Sequence, residues 1–289
     1  MSLAGCPQTC PACDAVPRPS ITLRQGVRLL ECPVCCLRWW PWPPFDPSAF
    51  YDQNYFQSDQ DQKGYSDYSA LEPGVRRTAR ARLQRIGRLL AGQRPECRIL
   101  DLGCGTGCFL DEARRAGWSV EGVEVSEYAA RQARERDLNV RCAPLEDLIL
   151  PAQTYDCVTL WDVIEHVRDP RGVIAAAAAA LRPGGVLALS TGDVTSWCAR
   201  LSGRRWHLYT LPEHLFFFSP NSLRRLIRAA GCEPVRTVDE VNWVPVRYIV
   251  ERLGKTLLGR SATMTSAWSR WLVPATLFDV LGIYARKSS

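Results

Sequence analysis

The stretch from Cys97 to Gly107, C-R-I-L-D-L-G-C-G-T-G, constrains the fold more than any other. An apolar run from Arg98 to Leu102 carries one acid, Asp101. Alternating glycines at Gly103, Gly105 and Gly107 follow it, before Cys108-Phe109-Leu110 opens a helical pattern. The order is strand, tight glycine turn, helix. Glycine reaches positive φ without strain and lets a ligand approach the backbone, which side chains at these positions would obstruct. A phosphate-binding loop would continue with Lys-Ser or Lys-Thr, and a dinucleotide loop would space its glycines G-x-G-x-x-G. Cys108 stands where the third glycine of that second pattern would fall, so neither template fits.

The chain has 289 residues, enough for one α/β domain and a small appendage. Its 46% hydrophobic and 23% charged content are those of an ordinary soluble globular protein. No run of about eighteen apolar residues exists, so no membrane-spanning helix is expected. The start, M-S-L-A-G-C-P, lacks the charged beginning and apolar core of a secretory signal, and a cytoplasmic location is expected. The formal charge of +6 comes largely from arginines in 76–94, 114–136 and 200–228, which read as solvated helix faces. There is no concentrated basic stripe with interleaved aromatics, so no nucleic-acid partner is expected.

Thirteen cysteines without an export signal argue for thiols and metal rather than disulfides. Cys10-Pro-Ala-Cys13 and Cys32-Pro-Val-Cys35 are two C-x-x-C knuckles eighteen residues apart. Each knuckle offers two thiolates from one turn, which is the pattern of a tetrahedral Cys₄ zinc site. With so few other core residues in this segment, the metal would supply most of its folding free energy. Cys6 and Cys36 are spare candidates. Between the knuckles, Ile21-Thr22-Leu23 and Val27 to Leu30 predict a hairpin turning near Gln25-Gly26. The expected organisation is a zinc-binding module over 1–45, then a linker and cap helix over 46–95. A main domain over 96–289 follows, with a helical insertion at 242–279. Proline-rich residues 39–47 carry three tryptophans expected to pack the module onto the main domain.

Apolar spacing predicts a helix over 76–90, a crossover helix over 109–116, and a second strand over 118–125 ending G-V-E-V-S. Glu124 lies seventeen residues past Gly107, where dinucleotide-type folds place an acid for both ribose hydroxyls. Ser126 caps the next helix, Val140 to Cys142 is a third strand, and Tyr155 to Leu160 a fourth. An alanine-rich helix over 173–181 and a strand over 186–190 come next, then a sixth strand over 233–241. Helices over 246–258 and 264–278 and a last strand over 281–286 complete the order.

From about residue 76 to 240 these motifs resemble the S-adenosylmethionine (SAM) methyltransferases with the class I, Rossmann-like fold. The resemblance implies a seven-stranded, mostly parallel sheet whose last strand inserts antiparallel. It places Asp101 against the ammonium group of the cofactor, with Gly103, Cys104, Gly105 and Gly107 passing beneath it. Glu124 and Val125 would hold the ribose. The adenine contact would come from the Leu145 backbone or Glu146, because Pro144 stands where the family has an acid. Trp161 and Asp162 would line the pocket, and Tyr55, in an aromatic lead-in, would cover it.

His166 belongs to an E-H-V-x-D-P turn common in these enzymes. With Asp162 and Glu165 it offers ligands to a divalent metal, as in some quinone-type O-methyltransferases; a histidine bonded to backbone is the preferred reading. The run Glu213-His214-Leu215-Phe216-Phe217-Phe218-Ser219 is similar to zinc-containing deoxysugar C-methyltransferases, which places Glu213 and His214 at the active site. This chain is much shorter than those enzymes at its C-terminus, which leaves the sugar substrate open. His214, near its unperturbed pKa, is expected to be the base, with His166 next.

The expected function is methyl transfer to a small-molecule or lipid- or sugar-linked acceptor. A basic, aromatic-rich C-terminal pair of helices, carrying Trp243, Trp268, Trp271 and Phe278 beside arginines, serves as a lid or dimer face or touches a membrane surface peripherally. The alternatives are an RNA or protein methyltransferase that docks through its zinc module, or a non-catalytic SAM-binding scaffold. Oligomeric state and acceptor atom are not legible from the sequence.

Overall fold

Residues 6–43, 68–91, 96–246, 250 and 271–288 are described by the computed structural model. In the N-terminal module, β1 (Arg18–Thr22) and β2 (Arg28–Glu31) form the expected antiparallel hairpin. The Leu23 amide donates to the Val27 carbonyl at 2.8 Å, and Gly26 turns the chain at φ 80°. A short β3 (Arg38–Trp39) pairs antiparallel with β2.

The main body follows in the order α1 (Tyr68–Leu90), β4 (Arg98–Leu102), α2 (Cys108–Arg115), β5 (Ser119–Glu124), α3 (Glu127–Arg134) and β6 (Val140–Cys142). Then come β7 (Tyr155–Trp161), α4 (Pro170–Ala180), β8 (Leu181–Gly192), α5 (Trp197–Ser202), β9 (Phe216–Phe217) and α6 (Pro220–Ala229). The chain ends with β10 (Cys232–Asp239), β11 (Asn242–Pro245), β12 (Leu272–Ala275) and β13 (Val280–Lys287). Seven strands form one sheet in the order β10-β13-β8-β7-β4-β5-β6. β4 to β8 are parallel within it, and β13 is antiparallel to both neighbours, as the resemblance implied.

The strands carry apolar side chains on both faces because helices cover both faces. On one side Ile99, Cys157, Val186 and Ala188 pack against Ala79, Leu83, Ile86 and Leu90 of α1 and against α2 and α3. On the other, Leu100, Val158, Leu160, Leu187 and Leu189 meet α4 and α6. The alternation from Ile99 to Leu100 is the two-residue period of a strand. Helix starts follow local chemistry. The Ser126 hydroxyl accepts from the Ala129 amide, Asp169 accepts from Gly172 with Pro170 next to it, and Ser219 and Ser222 form a capping box before α6.

Two sequence expectations change. The region 242–279 was expected to be helical, yet β11 and β12 pair antiparallel as a two-stranded ribbon. Val244, Val273 and Pro274 favour extended backbone, and β11 also leans on α1, where the Trp243 amide donates to Thr78 Oγ at 3.1 Å. Residues 251–270 lie outside the described residues, with most of the expected helix pair. The arginines of α1 are likewise not a simple solvated face. Arg76 bonds Asp111 at 2.7 Å and Glu112 at 2.8 Å, while Arg82 and Arg85 reach Glu240 at 3.3 and 3.1 Å. Asp111, Glu112 and Glu240 are buried, and buried carboxylates demand such partners.

The module is not a separate body. Trp39, Trp40 and Trp42 are buried in the same core as β7 and β8, and Trp42 meets Phe216 edge-on at 5.2 Å between ring centres. β3 pairs antiparallel with β9, Arg38 opposite Phe217 and Trp39 opposite Phe216, so the module's sheet is completed by a strand of the main body. Trp42→Ala should therefore lower the stability of the whole chain, by ~3–5 kcal/mol for a buried aromatic. Denaturant unfolding followed by both far-ultraviolet dichroism and tryptophan fluorescence checks this; an unchanged main transition would show that the module folds independently.

Candidate active site

The carboxyl ends of the parallel strands gather the expected cofactor residues. Asp101 lies near the end of β4, fully buried, and its carboxylate accepts a 2.6 Å hydrogen bond from Thr159 Oγ on neighbouring β7. Burial pushes the Asp101 carboxyl up to about 7, against the pull of Thr159 and of the Arg82 charge, and Glu124 adds to the rise. Gly103 and Gly107 have φ of 76° and 81°, and a side chain at Gly103 would meet Val163 at 2.5 Å. The amides of Gly103 and Cys104 donate to the Val123 carbonyl at 2.8 and 3.0 Å, which holds the turn against β5.

At the end of β5 the two carboxylate oxygens of Glu124 accept from the Gly105 amide at 2.8 Å and the Ser126 amide at 2.9 Å. Burial raises the Glu124 carboxyl and these amides oppose it. A carboxylate has about four acceptor positions, so Glu124 retains capacity for a diol. A cationic group beside Asp101 would offset its desolvation and restore the ionised form. The chemistry of these donors and acceptors thus fits SAM.

The other expected pocket residues divide. Trp161 closes β7 with its ring between Phe109 at 5.4 Å and the guanidinium of Arg82 at 4.2 Å; its buried indole N–H is without a partner among the described residues. Asp162 takes φ 56°, an uncommon conformation for a side-chain-bearing residue, and bonds Ser190 Oγ at 2.8 Å. Val125 is half-buried and its carbonyl accepts from the Cys142 thiol. Leu145 and Glu146 lie in a single helical turn, where Glu146 accepts the Arg168 amide at 2.8 Å. Tyr55 lies outside the described residues. Arg82 was missed: its buried guanidinium bonds Ser190 Oγ at 3.1 Å, pairs with Glu240, and lies 3.8 Å from Asp162. Among so many helix arginines, nothing in the sequence marks this one, except that it adjoins the apolar position Leu83.

Beyond the strand ends, His166 and His214 come together with ring centres 4.7 Å apart, edge to face. His166 Nδ1 bonds the Glu213 carbonyl at 2.9 Å and His214 Nδ1 bonds the Leu208 carbonyl at 2.8 Å. A carbonyl only accepts, so His214 carries its proton on Nδ1 and keeps a lone pair on Nε2, while His166 meets a second backbone acceptor at Asp162 beside the Glu213 carbonyl. His166 is bonded to backbone, as the preferred reading had it, and the alternative trio of Asp162, Glu165 and His166 does not converge. Ligand atoms of Glu165, His166 and His214 lie within 4.8 Å of one another, because Asp162 turns toward Ser190. Burial pushes the Glu165 carboxyl up to about 8, and Asp162 adds to it; Glu165 Oε2 has no hydrogen-bond partner among the described residues. Nor is His214 near its ordinary pKa. Burial lowers it well below that value, with His166 adding to the effect, and burial lowers His166 to about 4. Glu213 enters through its backbone carbonyl.

The module holds this loop in place. Trp40 Nε1 donates to the His214 carbonyl at 3.0 Å, Arg38 donates to the Tyr209 hydroxyl at 3.0 Å, and Ser219 Oγ donates to the Cys35 carbonyl at 2.5 Å. The sulfur of Cys10 lies 3.4 Å from that of Cys35, as Cys13 does from Cys32, and Cys13 lies 3.9 Å from Cys35. A tetrahedron of thiolates at about 2.3 Å from zinc has edges of about 3.8 Å, so the four sulfurs fit that metal. The Cys6 sulfur instead lies 3.8 Å from the Trp40 carbonyl oxygen, and Cys36 is exposed.

The histidine burial has a pH signature. His166 protonates near 6.5 in an unfolded chain but only near 4 in the fold. A depressed value contributes stability that is complete above about pH 6.5 and is lost as the pH falls through about 4. The His166→Gln variant lacks this contribution, and the opposing effect of Asp101, in whose shift His166 takes no part, cancels in the comparison. Relative to that variant, the wild-type protein should lose up to ~3 kcal/mol between about pH 7 and pH 4. Denaturant midpoints across this range check it, and a pH-independent difference would show an ordinary histidine.

Comparison with known proteins agrees with this geometry. Residues 75–237, more than half of the chain, match a family model described as a methyltransferase domain. The chain is similar to the ubiquinone biosynthesis O-methyltransferase of Bordetella avium, 35% identical over 160 residues, covering 50% of this chain and 66% of that one. It spans just under two thirds of the length of the curated relatives it matches. In fold it is similar to magnesium protoporphyrin IX methyltransferase from Synechocystis, at TM-score 0.52 and 16% identity, covering 78% of this chain and 90% of that one. It is also similar to a SAM-dependent methyltransferase from Archaeoglobus fulgidus, at TM-score 0.51 and 19% identity, covering 73% and 94%. The chain belongs to the methyltransferase-domain family and has the class I, Rossmann-like fold of the SAM-dependent methyltransferases.

Proposed function

We propose that this protein methylates a hydroxyl oxygen of a small-molecule acceptor with SAM, using the His166 and His214 pair to take up the proton. The observation that carries the reading is the pair itself: two half-buried imidazoles in ring contact, beside a buried carboxyl, where the sheet presents its ligands. The relatives named for O-methyl transfer support the hydroxyl over other acceptor atoms.

When bound, SAM supplies a methyl carbon made electrophilic by its sulfonium. What remains for the chain is positioning and one proton. Asp101 takes the ammonium end and Glu124 the ribose, and between them they orient the cofactor along the strand ends. The Nε2 lone pair of His214 faces no competing proton at neutral pH, because desolvation keeps both rings neutral. The hydroxyl proton ends on the imidazole, and the positive charge formed there lies beside Glu165, whose oxygens offer it an acceptor.

We also infer that Cys10, Cys13, Cys32 and Cys35 hold a structural zinc ion. The metal keeps β3 rigid, and β3 together with Trp40 sets the height of His214. In this reading the N-terminal module is part of the active site and not a docking arm for RNA or protein. Of the residues that suggested membrane contact, Trp243 lies in β11 and Trp271 and Phe278 are exposed, while Trp268 and the basic residues lie outside the described ones. Among the described residues no helix is long and apolar enough to cross a membrane.

Two variants separate the parts of this reading. Glu124→Ala should abolish SAM binding by calorimetry, and unchanged affinity would remove the ribose assignment. His214→Ala should lower turnover ~10²- to 10⁴-fold with SAM affinity unchanged. Turnover is read on the acceptor found by mass spectrometry of extract incubated with isotope-labelled SAM. A fully active variant would take His214 out of the mechanism.

A further inference from the structure

A second group of ligating side chains includes one residue at the start of the loop that carries His214, and neither the cofactor site nor the histidine pair uses it. Cys198 is on α5, His207 follows Trp206 in the loop, and Asp279 immediately precedes β13. One sulfur, one imidazole nitrogen and one carboxylate oxygen from these three residues lie within 4.8 Å of one another. His207 Nδ1 is 3.5 Å from Asp279 Oδ2.

Asp279 is 2% exposed, and among the described residues no arginine or lysine forms an ion pair with it. This sets it apart from the buried acids Asp111, Glu112, Asp156 and Glu240, each of which has a guanidinium partner. A buried carboxylate needs compensating positive charge. What Asp279 has instead is an N–H from the buried Trp206 indole, at 2.8 Å, which fixes the orientation of the carboxylate. A hydrogen bond to a ligating carboxylate from outside the cluster is the arrangement that tunes metal sites. The backbone holds the same corner: the Asp193 amide, just past the end of β8, donates to the Asp279 carbonyl at 2.7 Å.

We propose that Cys198, His207 and Asp279 form a zinc site with one open coordination position, separate from the Cys₄ cluster. Sulfur, imidazole and carboxylate together suit zinc better than magnesium or calcium, which take oxygen ligands. Binding exchanges the Cys198 thiol proton for the metal. One thiolate and one carboxylate then balance the two positive charges, and the site is neutral in a buried setting. The ion staples α5 and the Trp206 to Tyr209 turn to the start of β13, while the module holds His214 through Trp40. The substrate loop is then pinned at both ends, by two metals of different donor sets.

The test is zinc stoichiometry on the full chain, dialysed against zinc and then against buffer, by elemental analysis. His207→Ala and Cys198→Ser should each hold one zinc per chain fewer than the wild-type protein. His207→Cys, which keeps a ligand at the partly exposed position, should hold the same number as wild type. Cobalt substitution adds a second reading: the wild-type spectrum minus that of His207→Ala should contain a thiolate-to-cobalt charge-transfer band. Because each reading is a difference, it is independent of the Cys₄ cluster. An empty Cys₄ cluster would leave one zinc in the wild type and none in His207→Ala. Equal zinc content in wild type, His207→Ala and Cys198→Ser would overturn the proposal and leave Asp279 and His207 as an ion pair only.

Discussion

Two residues of strand pairing join the ends of this molecule's logic. Arg38 and Trp39, from the cysteine-rich module, lie antiparallel to Phe217 and Phe216, which directly follow the loop carrying His214. A two-residue ladder is a weak structure by itself. Here it sits between buried Trp42 and Phe216 on one side and the Ser219-to-Cys35 hydrogen bond on the other, so it cannot open without exposing aromatic core. The position of His214 is therefore set by residues more than 170 positions away, and the loop behaves as part of a sheet.

The second constraint is charge in a dry interior. Asp101, Glu124 and Glu165 are all buried at or near the strand ends, and burial raises all three. Natural cores avoid this arrangement unless the group is partnered. The arginine-paired acids of α2 show how the same chain treats structural carboxylates, with guanidinium contacts near 2.8 Å and lowered pKa values. The acids at the strand ends, hydrogen-bonded but without a guanidinium partner, thus carry unfavourable desolvation that a cationic ligand would offset. Perturbed carboxylates facing a ligand-binding edge are the expected signature of function rather than of stability.

The path of the sheet was legible because its signals are local. Glycines at 103, 105 and 107, an acid at the end of each of the first two strands, and a capping serine at 126 each require only a few neighbouring residues to be understood. The C-x-x-C knuckles were legible for the same reason. Arg82 was not, because its role depends on Glu240 and Ser190, which approach only after the sheet closes. The backbone-bonded His166 was legible from its turn, but its neighbour His214 was not, because Asp162 turns its side chain to Ser190 and the Glu165, His166 and His214 grouping forms only across the loop. The ribbon of β11 and β12 was misread as helix since amphipathic spacing over a dozen residues does not exclude two short extended segments that find each other across the chain.

Histidine tautomers connect these levels. Whether an imidazole at this site accepts or donates at Nε2 is decided by what lies behind Nδ1, and for both His166 and His214 that is a backbone carbonyl of the 206–217 loop. The carbonyls belong to Leu208 and Glu213, in the one stretch between β8 and β9 that has no strand of its own to hold it. Its rigidity comes instead from Tyr209 under Arg38, from His214 under Trp40 and from Trp206 over Asp279. Each of those contacts has one partner outside the parallel sheet. The Rossmann-like body can therefore be shared with enzymes of other acceptors. The frame of module residues and Asp279 fixes the loop that carries the Leu208 and Glu213 carbonyl oxygens, and through Leu208 the direction of the His214 lone pair.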